Sequence, residues 1–396
     1  MKNKLLLLII PILLLTGCYN YNELNELALC TGMAIDYEDD KYVVTYMIAR
    51  SEQSNQNENS NKASTTTYEG RGKNISEAIQ EINRICPKKT YIGHLNVIVI
   101  SEDLAKKGLQ NMLDYLLREP ESRKTFFLIL AHNVKANETL KILSPLESFS
   151  SQNITNNIES VDQLQALAVK TQYTEFLQRI LMEGVNPTIN SITIDGDIKS
   201  GQKEESLESS EAKAFIKIDS VGIFNKDRLL GFATDDESRG INIILNKVSI
   251  MNITAKCEDN YITATTENLK TDIEIDTNNN DIKIELNIKG DAAISEINCK
   301  IDLDDPKEIK ELESKFNKKV QSLIDKALYA TQKEYRSDVF GFGNMIYRKD
   351  YQTWKKIKDS WDDEIFPNIK INTKVNISLT KKGALKQTIK EEKDEK

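Results

Sequence analysis

Residues 41–131 alternate between strand-like and helix-like patterns of hydrophobic positions. Three short apolar runs have the length and β-branched content of strands: "KYVVTYMIA", "LNVIVI" and "TFFLILA". Between the first two runs, Asn74 followed by Glu77 predicts a helix start, because an amide oxygen can accept from the free N–H groups of the first turn. Ser101, followed directly by two carboxylates, predicts a second start. Helices alternating with strands predict an α+β unit.

The pattern changes after residue 212, where apolar and polar residues alternate with a period of two. Four such runs predict one antiparallel meander: "AFIKIDSVGIFNKDRLLGF", "NKVSIMNITAKC", "YITATTENLKTDIEID" and "IKIELNIKGDAAISEI". A helix is expected from Asp305, with an apolar stripe at Ile309, Leu312, Phe316, Val320, Leu323 and Ala327. The stretch 161–183 predicts one long helix in the first half. Both halves of the chain are therefore expected to be α+β.

Two polar stretches interrupt these patterns, at residues 51–66 and 197–212. Both lack the apolar side chains whose burial offsets the entropy of ordering, so we expect loops or linkers. The predicted layout is a leader at 1–17, an N-terminal domain at 18–196, a linker at 197–212, a C-terminal region at 213–385 that can itself divide in two, and a flexible tail at 386–396. A chain of 396 residues exceeds what one hydrophobic core usually supports, which also predicts two or three domains.

The chain begins with Lys2, Lys4 and eleven mainly apolar residues at 5–15. This run is shorter than the roughly 20 residues of a membrane-spanning helix but fits a secretory signal. It ends in "LTGC", which resembles the lipobox of bacterial lipoproteins, in which diacylglycerol alkylates the cysteine thiol before cleavage. Cys18 is thus the predicted lipidation site and first mature residue. The alternative is an ordinary secreted protein with an unmodified Cys18.

The charge balance limits the classes of partner that the protein is expected to bind. Acidic residues outnumber basic ones, 61 to 53, and the formal net charge is −8. An acidic surface disfavours both nucleic acid and anionic headgroups, so no nucleic-acid partner is expected. Membrane association would come from the lipid, whose two acyl chains suffice for stable anchoring.

The sequence contains no recognisable catalytic or metal-binding motif. His94 and His132 belong to no metal-ligand spacing, and no GxSxG elbow, phosphate loop or GxGxxG fingerprint is present. We therefore predict no catalytic residue, no metal and no cofactor. Cys257 and Cys299 lie in one strand-rich region and could form a disulfide, but two small buried thiols are the favoured interpretation.

Two places are candidates for partner binding. Trp354 and Trp361 are seven residues apart, so both rings can share one helical face; core packing is favoured over an exposed partner site. In the segment 20–29, Leu24 and Leu27 can share a helical face while Glu23 projects elsewhere. We expect this segment to dock on its own domain, with a membrane partner as the alternative.

Five collinear blocks resemble the Ger(x)C family of lipoproteins, the C subunits of spore germinant receptors. They are "GCYNYNELNELALCTGMAID", "GHLNVIVISEDLAKKGL", "SRKTFFLILAHNVKANETLK", "GIFNKDRLLGFATDDESRG" and "FGFGNMIYRKDYQTWKKIKDSW". The departures are local. The family usually has Trp-Asp after the cysteine and an arginine before the Glu-Leu pair, whereas this chain has Tyr19, Asn20 and Asn22.

The resemblance implies a multi-domain α+β protein of three domains, each a mostly antiparallel or mixed sheet flanked by helices. It implies a noncatalytic, lipid-anchored subunit on the outer leaflet of the spore inner membrane, acting with two integral-membrane receptor subunits in nutrient-triggered germination. Two alternatives from other classes are a solute-binding lipoprotein that captures a nutrient and a membrane-tethered cell-wall hydrolase. The first would show two similar doubly wound lobes around a cleft, and the second a cluster of catalytic or metal-binding groups.

Overall fold

The computed structural model describes residues 23–50, 64–168, 170–208, 210–248, 250–257, 259–277 and 282–381. Cys18, the leader at 1–17, most of the loop at 51–66 and the tail at 386–396 lie outside these ranges. The described residues form one sheet of nine strands and one of four, both flanked by helices. The predicted α+β class, with mixed sheets, is confirmed.

The first sheet has the strand order β3-β2-β1-β5-β6-β7-β8-β9, and β4 pairs with the start of β1. Its strands are β1 (Leu27–Glu38), β2 (Lys41–Ala49), β3 (Thr65–Gly72), β4 (Lys89–Tyr91), β5 (Val97–Ser101), β6 (Phe127–Ala131), β7 (Thr188–Gly196), β8 (Ala214–Asn225) and β9 (Arg228–Phe232). The central strands β1, β5, β6 and β7 are parallel, and antiparallel strands extend the sheet on both sides.

Helices cover both faces of this sheet. They are α1 (Ile75–Ile85), α2 (Glu102–Lys107), α3 (Gln110–Arg118), α4 (Ala136–Lys141), α5 (Ser150–Gln165) and α6 (Tyr173–Leu181). The run "VIVI" in β5 serves both cores: Ile98 and Ile100 pack with α1, α3 and α6, whereas Val97 and Val99 pack with α4 and α5. Such a continuous apolar run is typical of a strand buried on two sides.

The two predicted helix starts are present. The side chain of Asn74 accepts a hydrogen bond of 2.8 Å from the amide of Glu77, and the Glu77 carboxylate accepts one of 2.8 Å from the amide of Lys73. The Ser101 hydroxyl accepts from the amide of Leu104 at 3.3 Å. Both signals act within four residues, which explains why they could be recognised locally.

The second sheet has the order β10-β11-β12-β13, with β10 (Ile250–Cys257), β11 (Asn260–Asp276), β12 (Lys283–Ile297) and β13 (Ile371–Lys381). The first three strands are antiparallel, and β13 runs parallel to β12. The long helix α7 (Pro306–Tyr329) packs its predicted stripe on this sheet, with Leu312, Phe316, Val320, Leu323 and Ala327 buried. Three further helices lie between α7 and β13: α8 (Phe342–Lys349), α9 (Tyr351–Ile357) and α10 (Phe366–Asn368).

Two expectations about strands and helices were wrong. The first of the four period-two runs forms β8 and β9, which complete the first sheet rather than joining the meander. The stretch 161–183 contains the end of α5 and all of α6 instead of one helix. Helix α5 ends because Ala166 adopts a left-handed conformation, with φ 58°.

The stretch 197–212, expected as a linker, connects the neighbouring strands β7 and β8. It contains a short helix (Ile198–Gly201) whose first amides donate to Asp197, at 3.0 Å from Lys199 and 3.3 Å from Ser200. These local hydrogen bonds to Asp197 therefore help to order a stretch that has few apolar residues. The first sheet continues across it, and the division of the chain into domains stays a prediction.

Cys257 and Cys299 form a disulfide, with their Cα atoms 6.2 Å apart, so the favoured interpretation of two free thiols was wrong. The two cysteines lie on either side of the start of β11. Cys257 pairs with Asn260, and the amide of Asn298, the residue before Cys299, donates to the carbonyl of Tyr261. Cys30 and Cys86 are free thiols.

Candidate functional site at the N-terminal edge of the first sheet

The parallel strands β1, β5 and β6 all begin at one edge of the first sheet. Helices α1 and α3 end at the same edge, since each leads back into one of these strands or into β4. We call the resulting surface, formed by residues 23–29, 83–92 and 115–121, the N-terminal edge. The described chain enters the fold here.

The segment predicted to be an amphipathic helix has a different structure. Only Leu24–Glu26 is helical, as one 3-10 turn, and Leu27 already belongs to β1, where it pairs with Lys89. Because Leu27 is half-buried and Ala28 is buried, the segment packs on its own domain through a strand rather than through a helical face.

The turn itself is held by local bonds. The amide of exposed Glu23 donates to the Glu26 carboxylate at 3.2 Å, and the amide of Glu26 donates to the carbonyl of Glu23 at 3.0 Å. The side chain of Leu24 lies outside the described part of the structure. Whether Glu23, Leu24 and Leu27 bind a partner therefore stays a prediction.

An open cavity of about 470 Å³ lies in this edge, between the ends of α1 and α3 and strand β4. The rings of Tyr46 and Tyr115 and the side chains of Ile79 and Ile92 supply its apolar wall. Burial raises the pKa values of both tyrosines, so both phenols stay neutral at physiological pH. The Tyr115 hydroxyl donates to the Glu119 carboxylate over 3.3 Å.

Charges of both signs line the rim of this cavity: Lys88, Lys89, Glu119 and Glu121. Lys89 and Glu121 form an ion pair of 3.1 Å, which links β4 to the segment after α3. Two large apolar residues in the last turns of α1 and α3 are more than half exposed, namely Ile85 (58%) and Leu117 (56%). The N-terminal edge thus combines balanced charge with exposed apolar side chains, a combination typical of surfaces that meet a partner.

The two tryptophans proposed as partner-binding residues lie in the core instead. Trp354 and Trp361 are each 2% exposed, and their rings make an edge-to-face contact with centroids 5.6 Å apart. The indole of Trp354 donates to the Glu183 carboxylate at 2.6 Å, and that of Trp361 donates to Asp338 at 3.1 Å. Their burial agrees with the core packing that the sequence analysis favoured over an exposed partner site.

Asp338 is the centre of this cluster and was not predicted from the sequence. Its fully buried carboxylate accepts from the amides of Phe340, Gly341 and Gly343 at 3.1, 2.8 and 2.8 Å, in addition to the Trp361 indole. Burial raises the pKa of Asp338 to about 6, although these amide donors act in the opposite direction. A usable signal was the block "SDVFGFGN", where glycines two apart follow an aspartate.

The same cluster joins the loop before β7 to the loop before α8. The amide of Asn186 donates to the carbonyl of Asp338 and the amide of Asn344 to that of Gly184, both at 2.8 Å. Gly184 has φ +67°, and a Cβ atom there would lie 2.4 Å from the carbonyl carbon of Gly343. Glycine at both positions lets the two backbones touch. We call this arrangement the Asp338 junction.

A second buried carboxylate, Asp36, ends the family-like block at the start of the chain. Its two oxygens accept from the amides of Ala136 and Asn137 at 2.8 and 3.0 Å, which ties β1 to the start of α4. Burial raises the pKa of Asp36 to about 6. This role was also not predicted, because α4 lies 100 residues further along the chain.

His132 and Asp219 form an imidazole–carboxylate pair, a combination that can take part in catalysis. The pair lies where β6 ends, at the edge of the sheet opposite the N-terminal edge. The imidazole Nδ1 lies 2.6 Å from Asp219, and the ring stacks on Phe232 with centroids 3.8 Å apart. Burial raises the pKa of Asp219, but hydrogen bonds from His132 and Ser220 outweigh it and hold the pKa below its ordinary value. The hydroxyls of Ser191 and Ser220 bond to the carboxylate, not to the imidazole, so neither is placed as an activated nucleophile.

Within the described residues, no group of three or more His, Cys, Asp or Glu side chains is arranged to hold a metal ion. No helix in the same part of the chain is long and apolar enough to cross a membrane.

Two family models match the chain in tandem. Residues 20–194 match "Spore germination protein N-terminal domain", and residues 219–383 match "Spore germination B3/ GerAC like, C-terminal". The first match includes the N-terminal edge, and the second includes Asp338 and both tryptophans. Together they cover most of the sequence and define a spore germination protein.

Similar proteins span nearly the whole chain. Spore germination protein KC of Bacillus subtilis (strain 168) is 26% identical over 97% of this chain and 96% of that protein. Spore germination protein GerQC of Bacillus cereus is 22% identical over 97% of this chain and 99% of that protein. The crystal structure of the GerBC protein shares the fold, with a TM-score of 0.56 and 18% identity over 88% of this chain and 97% of that one. The chain belongs to the Ger(x)C family of spore germination proteins.

Proposed function

We propose that this protein is a lipid-anchored, noncatalytic subunit of a spore germinant receptor complex. A diacylglyceryl group on Cys18 would hold it on the outer leaflet of the spore inner membrane. There it would act with two integral-membrane subunits in nutrient-triggered germination. Its part would be to support the assembly or signalling of the complex.

One observation carries the anchor: Cys18 ends a signal-like run in "LTGC" and stands only five residues before Glu23, where the described fold begins. A lipid on this thiol would lie outside every strand and helix of the described residues, the first of which is the turn at Leu24–Glu26. The family membership supports the germination role.

The anchor is tested by Cys18→Ser, expressed in the native spore-forming host. We expect the variant to fold but to stay unprocessed or to leave the membrane fraction, because it lacks only the thiol that takes the lipid. Cys86→Ser is the matched control, since it removes a half-buried free thiol and leaves Cys18 intact. Intact-mass analysis reads the modification directly. A wild-type protein that stays tightly membrane-bound with no mass increment on Cys18 would contradict the anchor.

Membership of a receptor complex is tested by affinity capture from solubilised spore membranes, followed by mass spectrometry. We expect two integral-membrane proteins to be captured together with the wild-type chain. Capture of the chain alone, under conditions where its lipid is intact, would contradict the subunit role.

A further inference from the structure

We infer that the N-terminal edge of the first sheet lies against the lipid bilayer, with Ile85 and Leu117 entering the interfacial region. The inference rests on the proposed anchor at Cys18. It goes beyond that anchor because it assigns a membrane-facing surface and an orientation to the folded protein.

The length of the connection limits which surface can reach the membrane. Cys18 and Glu23 are five positions apart, a distance of at most about 18 Å at full extension. Strand β1 contains 12 residues, which correspond to about 40 Å. When the strands stand perpendicular to the bilayer, the end of β1 near Glu38 cannot contact the headgroups. Residues around Leu27 are held close to them by the short connection to Cys18.

The composition of the edge suits this position. Ile85 and Leu117 stand in the last turns of α1 and α3, and both are more than half exposed. Bulky aliphatic side chains in such positions gain free energy by entering the boundary between headgroups and acyl chains. The cavity between these two helix ends would then open toward the membrane.

Electrostatics permits the contact despite the acidic sequence. The cavity rim carries two lysines and two glutamates, and the ion pair between Lys89 and Glu121 neutralises one charge of each sign. This part of the surface therefore lacks the excess negative charge that would repel anionic headgroups.

The orientation can be measured by adding one tryptophan at a time to the full lipidated protein. Ile85→Trp and Leu117→Trp place an indole at each proposed contact. Phe215→Trp is the matched control, because Phe215 is 51% exposed and pairs with Asp195 near the end of β7, at the edge where the parallel strands end. The parent protein supplies the background, since Trp354 and Trp361 are buried.

Each protein is reconstituted into phosphatidylcholine–phosphatidylglycerol vesicles, with and without brominated acyl chains. We expect bromine to quench the emission of I85W and L117W beyond the parent background, and to leave F215W at that background. Quenching of F215W to the same extent, or of none of the three, overturns the inference while co-sedimentation with the vesicles leaves the anchor intact. Failure to co-sediment overturns the anchor and the inference together, so the two failures are distinguished before any fluorescence is read.

Discussion

The indole N–H of Trp361 donates a hydrogen bond of 3.1 Å to Asp338, and both side chains are buried. With three backbone amides bonded to the same carboxylate, Asp338 binds the loop before α8 to the chain segment that follows α9. Both of its oxygens act only as acceptors for these four donors. The Asp338 junction therefore requires two acceptor oxygens. A side-chain amide would replace one of them with an NH₂ donor.

Asp338→Asn should lower the free energy of unfolding substantially. An asparagine offers one acceptor oxygen, so the two donors facing its NH₂ group lose their partner, at a cost of about 1–3 kcal/mol each. Urea titration of the purified protein measures the change. Asp359→Asn is the control, because Asp359 is exposed in the same part of the chain. Equal stability of the two variants would contradict the importance of the junction.

Asp36 predicts an unusual pH dependence. Its pKa is raised to about 6 in the folded protein, above the value of about 3.9 in an unfolded chain. The folded state thus holds the proton more tightly, and the stability contributed by Asp36 is full below pH 4 and is lost as the pH rises through 6. The loss amounts to at most about 3 kcal/mol.

Asp36→Asn should remove this pH dependence. The free-energy difference between the parent and the variant, measured by urea titration, should favour the parent more at pH 4.5 than at pH 7.5. Asp39→Asn, at the exposed turn after β1, should show the same difference from the parent at both pH values. A parent-to-variant difference for Asp36→Asn that does not change with pH would show that burial leaves its carboxyl unperturbed.

Gly184→Ala tests the close approach of backbones in the Asp338 junction. The new Cβ atom would meet the backbone of Gly343 at 2.4 Å, in addition to the cost of about 1–2 kcal/mol for a left-handed alanine. Gly341→Ala is the matched control: its φ is also positive, at +81°, but its Cβ would meet only the side chain of Val185, at 3.3 Å. Thermal unfolding should show the larger loss for Gly184→Ala, and the reverse order would argue against a tight junction.

The disulfide can be tested by counting thiols in the Cys18→Ser protein, which has four cysteines left. We expect two reactive thiols, Cys30 and Cys86, after denaturation without reductant, and four after reduction. Reduction should also lower the free energy of unfolding by about 2–4 kcal/mol, because the bond closes a loop of 42 residues. Four thiols before reduction would contradict the disulfide.

Local signals in the sequence were sufficient for many elements. The capping groups Asn74 and Ser101 act within three residues, and the apolar stripe of α7 repeats along a single helix, so each could be recognised without knowledge of the fold. The period of two likewise identified β8 and β9 as strands, but it carries no information about their neighbours. Pairing with β7 is decided by long-range packing, which explains why these strands were assigned to the wrong sheet.

The candidate sites were harder to predict for the same reason. The Asp338 junction joins groups about 160 residues apart, such as Gly184 and Gly343, and neither glycine is distinctive by itself. The spacing of Trp354 and Trp361 correctly placed both rings together, but spacing cannot say whether a shared face is buried or exposed. The exposure of Ile85 likewise follows from α1 ending at the sheet edge, which no local pattern in the sequence shows.

The completion of the first sheet by β8 and β9 has a consequence for synthesis of the chain. A chain that emerges with its N-terminus first cannot close this sheet until residue 232 has appeared, since β7 has its antiparallel partner in β8 and β8 has its partner in β9. Until then, β7 presents a row of unpaired backbone groups, the kind of edge that pairs with other chains. A chaperone that binds the nascent chain would protect that edge, and a fragment cut at residue 196 would expose it permanently.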